Sequence, residues 1–274
     1  MKQFEYIQNL HTHTCFCDGK DTPEDLVLKA IELGFDTIGF SGHSYTGFDI
    51  SWHMTREKTE LYKKEIAYLK DKYRSEISVL CGLEYDIFSN CDVSCYDYLI
   101  GSSHFLKIDG EYVEFDIHAD TVSSIIMRYF DGDGIKYARA YYENMAQLYK
   151  YGNFDIVGHF DIIAKHCETH NFFDIDSKEY KNAALESLHA LCEKMKVFEV
   201  NTGAISRGYR TSPYPAPFIL KEMKDIGCIV VLTSDCHDKN FLNNHYKESV
   251  EYIQSCGFDS IGVMKNGNIT EIKI

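Results

Sequence analysis

The chain has 274 residues, 45% hydrophobic and 26% charged, a composition that excludes a disordered tail and provides for a sizeable core. Its 28 basic and 42 acidic residues give a net charge of -14 at pH 7, which argues against a passive nucleic-acid or anionic-membrane surface. The opening MKQFEYIQNLHTH lacks an apolar signal core, and no run approaches the ~18 apolar residues of a membrane span, so a cytoplasmic protein is expected.

In chain order, Phe4 to Leu10 reads as a short strand ending on His11-Thr12-His13. Asp21-Thr22-Pro23-Glu24 then starts a helix, with a capping side chain, proline at the first helical position and acids in the first turn. Leu26, Val27, Ala30, Ile31 and Leu33 form its apolar stripe, and Gly34 is the expected cap. A strand over 35–40 ends near His43, and the unit recurs. Tyr62, Ile66, Leu69 and Tyr73 mark a second helix, and Ile77 to Leu83 a buried strand ending at Glu84.

Tyr98 to Ser103 predicts a strand ending at His104. The stretch 107–134 has no clear period and is expected to be a long loop with a short helix near 122–130. A helix follows over 135–149, then a strand over 155–158 that ends at His159. A helix over 177–194 leads to a strand over 197–200 ending at Asn201, and one over 218–226 to a strand over 228–233 and then Asp235 and His237. A last helix and strand, near 246–255 and 260–263, precede a hairpin-like end over 268–274.

Apolar strands alternating with helices indicate a parallel sheet covered on both faces. No proline- or serine-rich linker interrupts them, so one barrel-like α/β domain over 1–274 is expected, with a doubly wound open sheet as the alternative. The ten cysteines include no CxxC pair and are expected to stay reduced, packing as small hydrophobes.

The twelve histidines carry more information. His11, His13, His43, Glu84, His104, His159, Asn201, Asp235 and His237 each follow an apolar strand. In a parallel barrel such positions converge on one mouth. His11 and His13, two residues apart on extended chain, face the same side and can share a metal; Asp235 and His237 repeat the spacing with one oxygen and one nitrogen donor. Glu84 follows a buried run, where a carboxylate is costly unless paired or metal-bound. A lone histidine after a strand is more often structural, as a turn could explain Asp235 and a salt bridge Glu84. His53, His118, His166, His170, His189 and His245 lack a strand-end context and are mostly expected at the surface.

Taken together, HTHTCFCDG at 11–19, GFSGHS at 39–44, GLEYD at 82–86, GSSHFL at 101–106, VGHFDII at 157–163, FEVNTGAISRGYRTSPYP at 198–215 and TSDCHD at 233–238 resemble the polymerase and histidinol phosphatase (PHP) superfamily, in its stand-alone phosphatase branch. The resemblance implies a distorted (β/α)7 TIM-like barrel with three divalent transition metal ions, zinc, iron or manganese, at the C-terminal ends of the strands. It implies that His11, His13, Glu84 and Asp235 hold the first metal, with Glu84 bridging to a second held by His104 and His159. Asp18, His43 and His237 would hold the third; relatives vary at Asp18, and Cys15 or Cys17 is the local substitute.

The implied activity is phosphomonoester hydrolysis, with L-histidinol phosphate as the first-choice substrate and a metal-bridging hydroxide as nucleophile. Asp235 or His237 would supply the proton for the leaving alcohol. Phosphate needs local positive charge on an acidic protein, for which Arg207 and Arg210, then Lys165, are the candidates. NTGAISRGYR departs from relatives that read more like NTSGLR, which leaves the two arginines open. Glu114 and Asp116 are candidate partners for the histidinol amine and imidazole. Nucleotides, oligonucleotide ends or sugar phosphates are the alternative substrates, and a non-catalytic metal-stabilised module the third reading. Membrane and long nucleic acid are not expected as partners.

Overall fold

The computed structural model describes residues 5–49 and 51–274; Phe4, where the first expected strand begins, lies outside them. In chain order the elements are β1 (Gln8–Asn9), α1 (Pro23–Glu32), β2 (Thr37–Phe40), α2 (Arg56–Lys72), β3 (Ser78–Asp86), β4 (Tyr98–Ser102), β5 (Phe105–Ile108), β6 (Glu111–Glu114), α3 (Ala119–Tyr129) and α4 (Gly134–Met145). They continue with β7 (Ile156–Val157), α5 (Lys178–Cys192), β8 (Val197–Asn201), α6 (Gly203–Ser206), α7 (Pro217–Asp225), β9 (Ile229–Thr233), α8 (Tyr246–Ser255), β10 (Ser260–Lys265) and β11 (Asn268–Lys273).

Helix starts follow local chemistry. Thr22 and Asp25 form a capping box at α1 with Pro23 in the first turn, and Leu26, Val27 and Ala30 face inward. Each large apolar side chain so buried contributes about 1.5–3 kcal/mol. Thr55 and Ser177 cap α2 and α5 through their hydroxyls.

Seven strands pair in parallel in the order β1-β2-β3-β4-β7-β8-β9. The sheet curls until its edges meet: Thr12 and Cys236 form a parallel bridge, with His13 N–H donating to Cys236 C=O at 2.8 Å and Cys236 N–H to His11 C=O at 3.0 Å. The result is a nearly closed (β/α)7 barrel rather than an open doubly wound sheet. Inside, Leu10, Tyr98, Ile100, Ile156, Val231 and Met264 pack together. The Tyr98 hydroxyl donates to Leu10 C=O, and a Cβ at Gly82 would collide with its ring, so glycine there makes room for tyrosine. At the end away from the mouth, the β10–β11 hairpin is tied in through Gln8, whose Oε1 accepts from Met264 N–H at 2.8 Å.

Two expectations need correction. The region 107–134 is not a long loop: β5 and β6 form an antiparallel hairpin, and α3 begins at Ala119. Its turn is Asp109-Gly110, both at positive φ (51° and 87°), the conformation that Asp-Gly favours in two-residue hairpins. The strand over 260–263 belongs to the terminal antiparallel hairpin instead of extending the parallel pattern. Among the described residues, no helix is long and apolar enough to cross a membrane.

Candidate metal centre

Glu84 lies inside β3, 1% exposed, and reaches the barrel axis at its mouth. Three overlapping groups of donors surround it, each with ligand atoms within 4.8 Å of one another. The first holds His11, His13 and Glu84: His11 Nε2 is 3.2 Å and His13 Nε2 3.5 Å from Glu84 Oε2. Asp235 joins them, with Oδ1 3.2 Å from His13 Nε2 and 3.6 Å from His11 Nε2.

The second group holds His43, Glu84 and His104, and His159 Nε2 stands 2.9 Å from Glu84 Oε1. The third holds His13, Asp18, His43 and His237; Asp18 Oδ2 is 3.1 Å from His237 Nε2, and its Oδ1 3.6 Å from His43 Nε2. All nine residues expected as ligands therefore converge. The grouping is less partitioned than expected, since His13 reaches the first and third groups and His43 the second and third.

The seam that closes the barrel explains this convergence. Its hydrogen bonds bind the HTH segment to the Asp235–His237 segment, so donors over 220 positions apart share one layer. Asp235 sits at φ 46°, a left-handed conformation held at a cost of about 1–3 kcal/mol that aims its carboxylate inward. Gly203 packs so close that a Cβ there would lie 2.7 Å from Asp235 Cβ.

The electrostatics match a cation site. Burial opposes charge on Glu84, but His11, His43 and His104 hold its carboxyl well below the usual range. Asp235 is likewise desolvated, yet Arg207 and then His11 keep it ionised. Burial would lower the pKa of His11; the facing Glu199, Glu84 and Asp235 raise it well above the ordinary value instead. Burial, with His237 and His43 adjacent, takes His13 down to about 3. His11 Nε2, His13 Nε2 and Glu84 Oε2 are buried without a hydrogen-bond partner, an unusual state for polar atoms that a bound cation relieves. Imidazole with carboxylate suits borderline divalent ions such as zinc, so the residues fit a metal site.

Asp18 belongs to the third donor group and Cys17 does not; Cys17 Sγ lies 3.5 Å from His13 Nδ1 at its margin. Cys15 is exposed. All ten cysteines are free thiols, with Cys192 and Cys228 3.2 Å apart at Sγ.

A cavity of about 560 Å³ opens above the cluster, lined among others by Asp18, His43, Trp52, Glu114, Asp116, Lys165, Arg207 and Tyr209. Arg207 Nη2 donates to Asp235 Oδ2 at 2.9 Å and Nη1 lies 3.0 Å from His237 Nδ1, while its Nε is unpaired. Lys165 lines the wall but is paired with Asp116 at 2.7 Å. Arg210 does not line the cavity: it is 7% exposed, stacks on Tyr214 at 4.6 Å and stands 3.9 Å from Asp161.

Several residues escaped the sequence reading. Glu199, fully buried, bonds His11 Nδ1 at 2.6 Å, and Asp86 Oδ2 lies 3.4 Å from His104 Nδ1. An acid within the apolar run Val197 to Val200 was the available signal, the same that marked Glu84. Trp52 stacks on His53 at 3.7 Å and donates Nε1–H to Glu114 at 2.9 Å. His53 and His166 are buried rather than at the surface, His53 beneath this indole and His166 against Ile117 C=O at 2.7 Å. Asn201 is internal scaffolding, bonding Glu199 and Gly203 N–H.

A parallel barrel whose strand ends carry this histidine and carboxylate cluster is a metallohydrolase-type scaffold. The chain belongs to the PHP domain family, whose model matches residues 9–203. It is 25% identical to the histidinol-phosphatase of Bacillus subtilis, an alignment covering 88% of this chain and 97% of that protein. Among solved structures it resembles HisK of Listeria monocytogenes (TM-score 0.75, 23% identity, 88% of this chain and 99% of that one). It also resembles the histidinol phosphate phosphatase of Lactococcus lactis, solved with zinc, L-histidinol and phosphate (TM-score 0.69, 21% identity, 96% and 98%).

Proposed function

We propose that this protein is a metal-dependent histidinol-phosphatase, hydrolysing L-histidinol phosphate to L-histidinol and phosphate. The observation that carries the reading is the convergence of the nine expected donors, Glu84 at their centre, at the base of a cavity with Arg207 on its wall. The family match and the histidinol-phosphatase relative support the same activity.

In this reading three divalent ions, zinc, iron or manganese, would be held by the groups centred on His11 and His13, on His104 and His159, and on Asp18, His43 and His237. When bound, such ions activate water and neutralise phosphoryl oxygens. Glu84 anchors the centre by serving two groups through its two oxygens. Asp235, which Arg207 keeps ionised, joins His11 and His13 as a donor, which leaves His237 as the residue assigned to hand a proton to the departing alkoxide. Arg207 brings guanidinium charge to phosphate at the cavity wall, while Lys165 is occupied by Asp116 and Arg210 packs under the loop against Tyr214. Glu114, once ionised above about pH 7, gives the cavity wall a negative charge for an amine-bearing substrate, while Asp116 is already paired with Lys165. Trp52 and Tyr209 offer flat faces for its imidazole.

The test is a phosphate-release screen over histidinol phosphate, nucleotides and sugar phosphates with manganese, zinc or iron. Preference for histidinol phosphate is expected; faster turnover of another monoester would reassign the substrate. An intact protein that binds no transition metal would overturn the metal centre itself.

A further inference from the structure

We propose that Glu199 is a positioning residue that orients His11 and fixes the spacing of the strand ends carrying the first and second donor groups. This rests on the metal-site reading above. Glu199 projects from the middle of β8, is fully buried and does not line the cavity, so it cannot touch substrate. Its two oxygens accept four hydrogen bonds. Oε1 takes His11 Nδ1–H at 2.6 Å and Thr233 Oγ1–H at 2.7 Å; Oε2 takes His159 N–H at 2.8 Å and Asn201 Nδ2–H at 3.0 Å. One carboxylate therefore joins the ends of β1, β7, β8 and β9.

The chemistry leaves little choice of residue. All four partners present N–H or O–H, so the centre must be acceptor-only, which an ionised carboxylate is and an amide is not. With Nδ1 committed to Glu199, His11 keeps its unpartnered Nε2 toward Glu84 and Asp235. Holding the His159 amide sets where its ring leaves the backbone, and that ring's Nε2 faces Glu84 Oε1. A carboxylate behind a ligating imidazole orients the ring and raises its basicity, and losing one typically costs 10- to 100-fold in metal affinity.

Glu199→Gln places an NH2 where two donors now point and is the discriminating variant. Zinc affinity, measured by chelator competition, should fall about 10- to 100-fold, while KM at saturating zinc stays near wild type. Thr233→Val removes the other donor to the same oxygen and should leave zinc affinity within about threefold. In zinc-loaded wild type, ¹⁵N-histidine NMR should place a proton on His11 Nδ1. The proposal is overturned if Glu199→Gln binds zinc within about twofold of wild type, or if Thr233→Val loses as much affinity. It is equally overturned if His11 Nδ1 carries no proton, a result that requires no variant to fold. A wild-type protein that takes up no zinc overturns the site reading and this inference together, whereas normal uptake by both proteins removes only the role of Glu199.

Discussion

His13 donates its backbone N–H to the carbonyl of Cys236 across 2.8 Å, and this contact joins the first strand end to the last. Both residues lie within the paired motifs that supply the candidate donors, so the contact that closes the barrel also brings those donors together.

Glu84→Gln should leave the barrel folded but lower kcat by at least about 100-fold, because the carboxylate serving two donor groups loses charge and one acceptor. Metal analysis of the purified variant should show substoichiometric transition metal. Wild-type turnover with full metal content would refute the role of Glu84 as anchor.

The two arginines should separate cleanly. Arg207→Ala should raise KM for the phosphate ester about tenfold or more, since its guanidinium lies on the cavity wall. Arg210→Ala should act mainly on stability, by about 3 kcal/mol, because it removes the cation facing the buried Asp161 carboxylate, which then keeps only the Ala216 N–H. Steady-state kinetics beside denaturant melts decide the matter; a reversed pattern would exchange their roles.

Glu114 should impose a pH dependence on substrate binding. Partial burial and then the nearby Asp49 raise its carboxyl from 4.5 to about 7. It therefore keeps its proton up to that pH when folded but loses it near 4.5 when unfolded, so its contribution to stability declines as pH rises between those values. For an amine-bearing substrate, KM should fall as pH rises through about 7. Glu114→Gln should flatten that profile; an unaltered slope would dissociate Glu114 from the amine.

Gly203→Ala should impair activity through Asp235. The added Cβ would lie 2.7 Å from Asp235 Cβ and 2.8 Å from its Oδ2, forcing the strained carboxylate to move. Loss of about 10- to 100-fold in kcat/KM is expected. Gly47→Ala, with nothing within 4 Å, is the neutral comparison. Equal activities in the two variants would show that Asp235 tolerates displacement.

What could be read from the sequence was what repeats. Apolar strands ending on polar residues exposed the barrel and eight of the nine expected donors, because those stand at or next to the strand that positions them; Asp18, in the turn before α1, came only with the family resemblance. Glu199 and Asp86 escaped because each acts through a histidine from another part of the chain, a pairing that no local pattern displays. The β5–β6 hairpin had a usable signal in Asp109-Gly110, but its strands are half exposed and their alternation is weak. Arg207 and Arg210 looked equivalent in one loop. The turn between them, with Gly208 at φ 74°, sends one to the cavity and the other beneath it.

The seam also dates the site within the life of the chain. Because Asp235 and His237 lie on the segment that follows β9, a growing polypeptide carries an incomplete donor set until that last parallel strand has docked against β1. With the proposed metal centre, full-affinity metal capture would therefore wait for a completed barrel, and a bound cation would hold shut the join that admitted it.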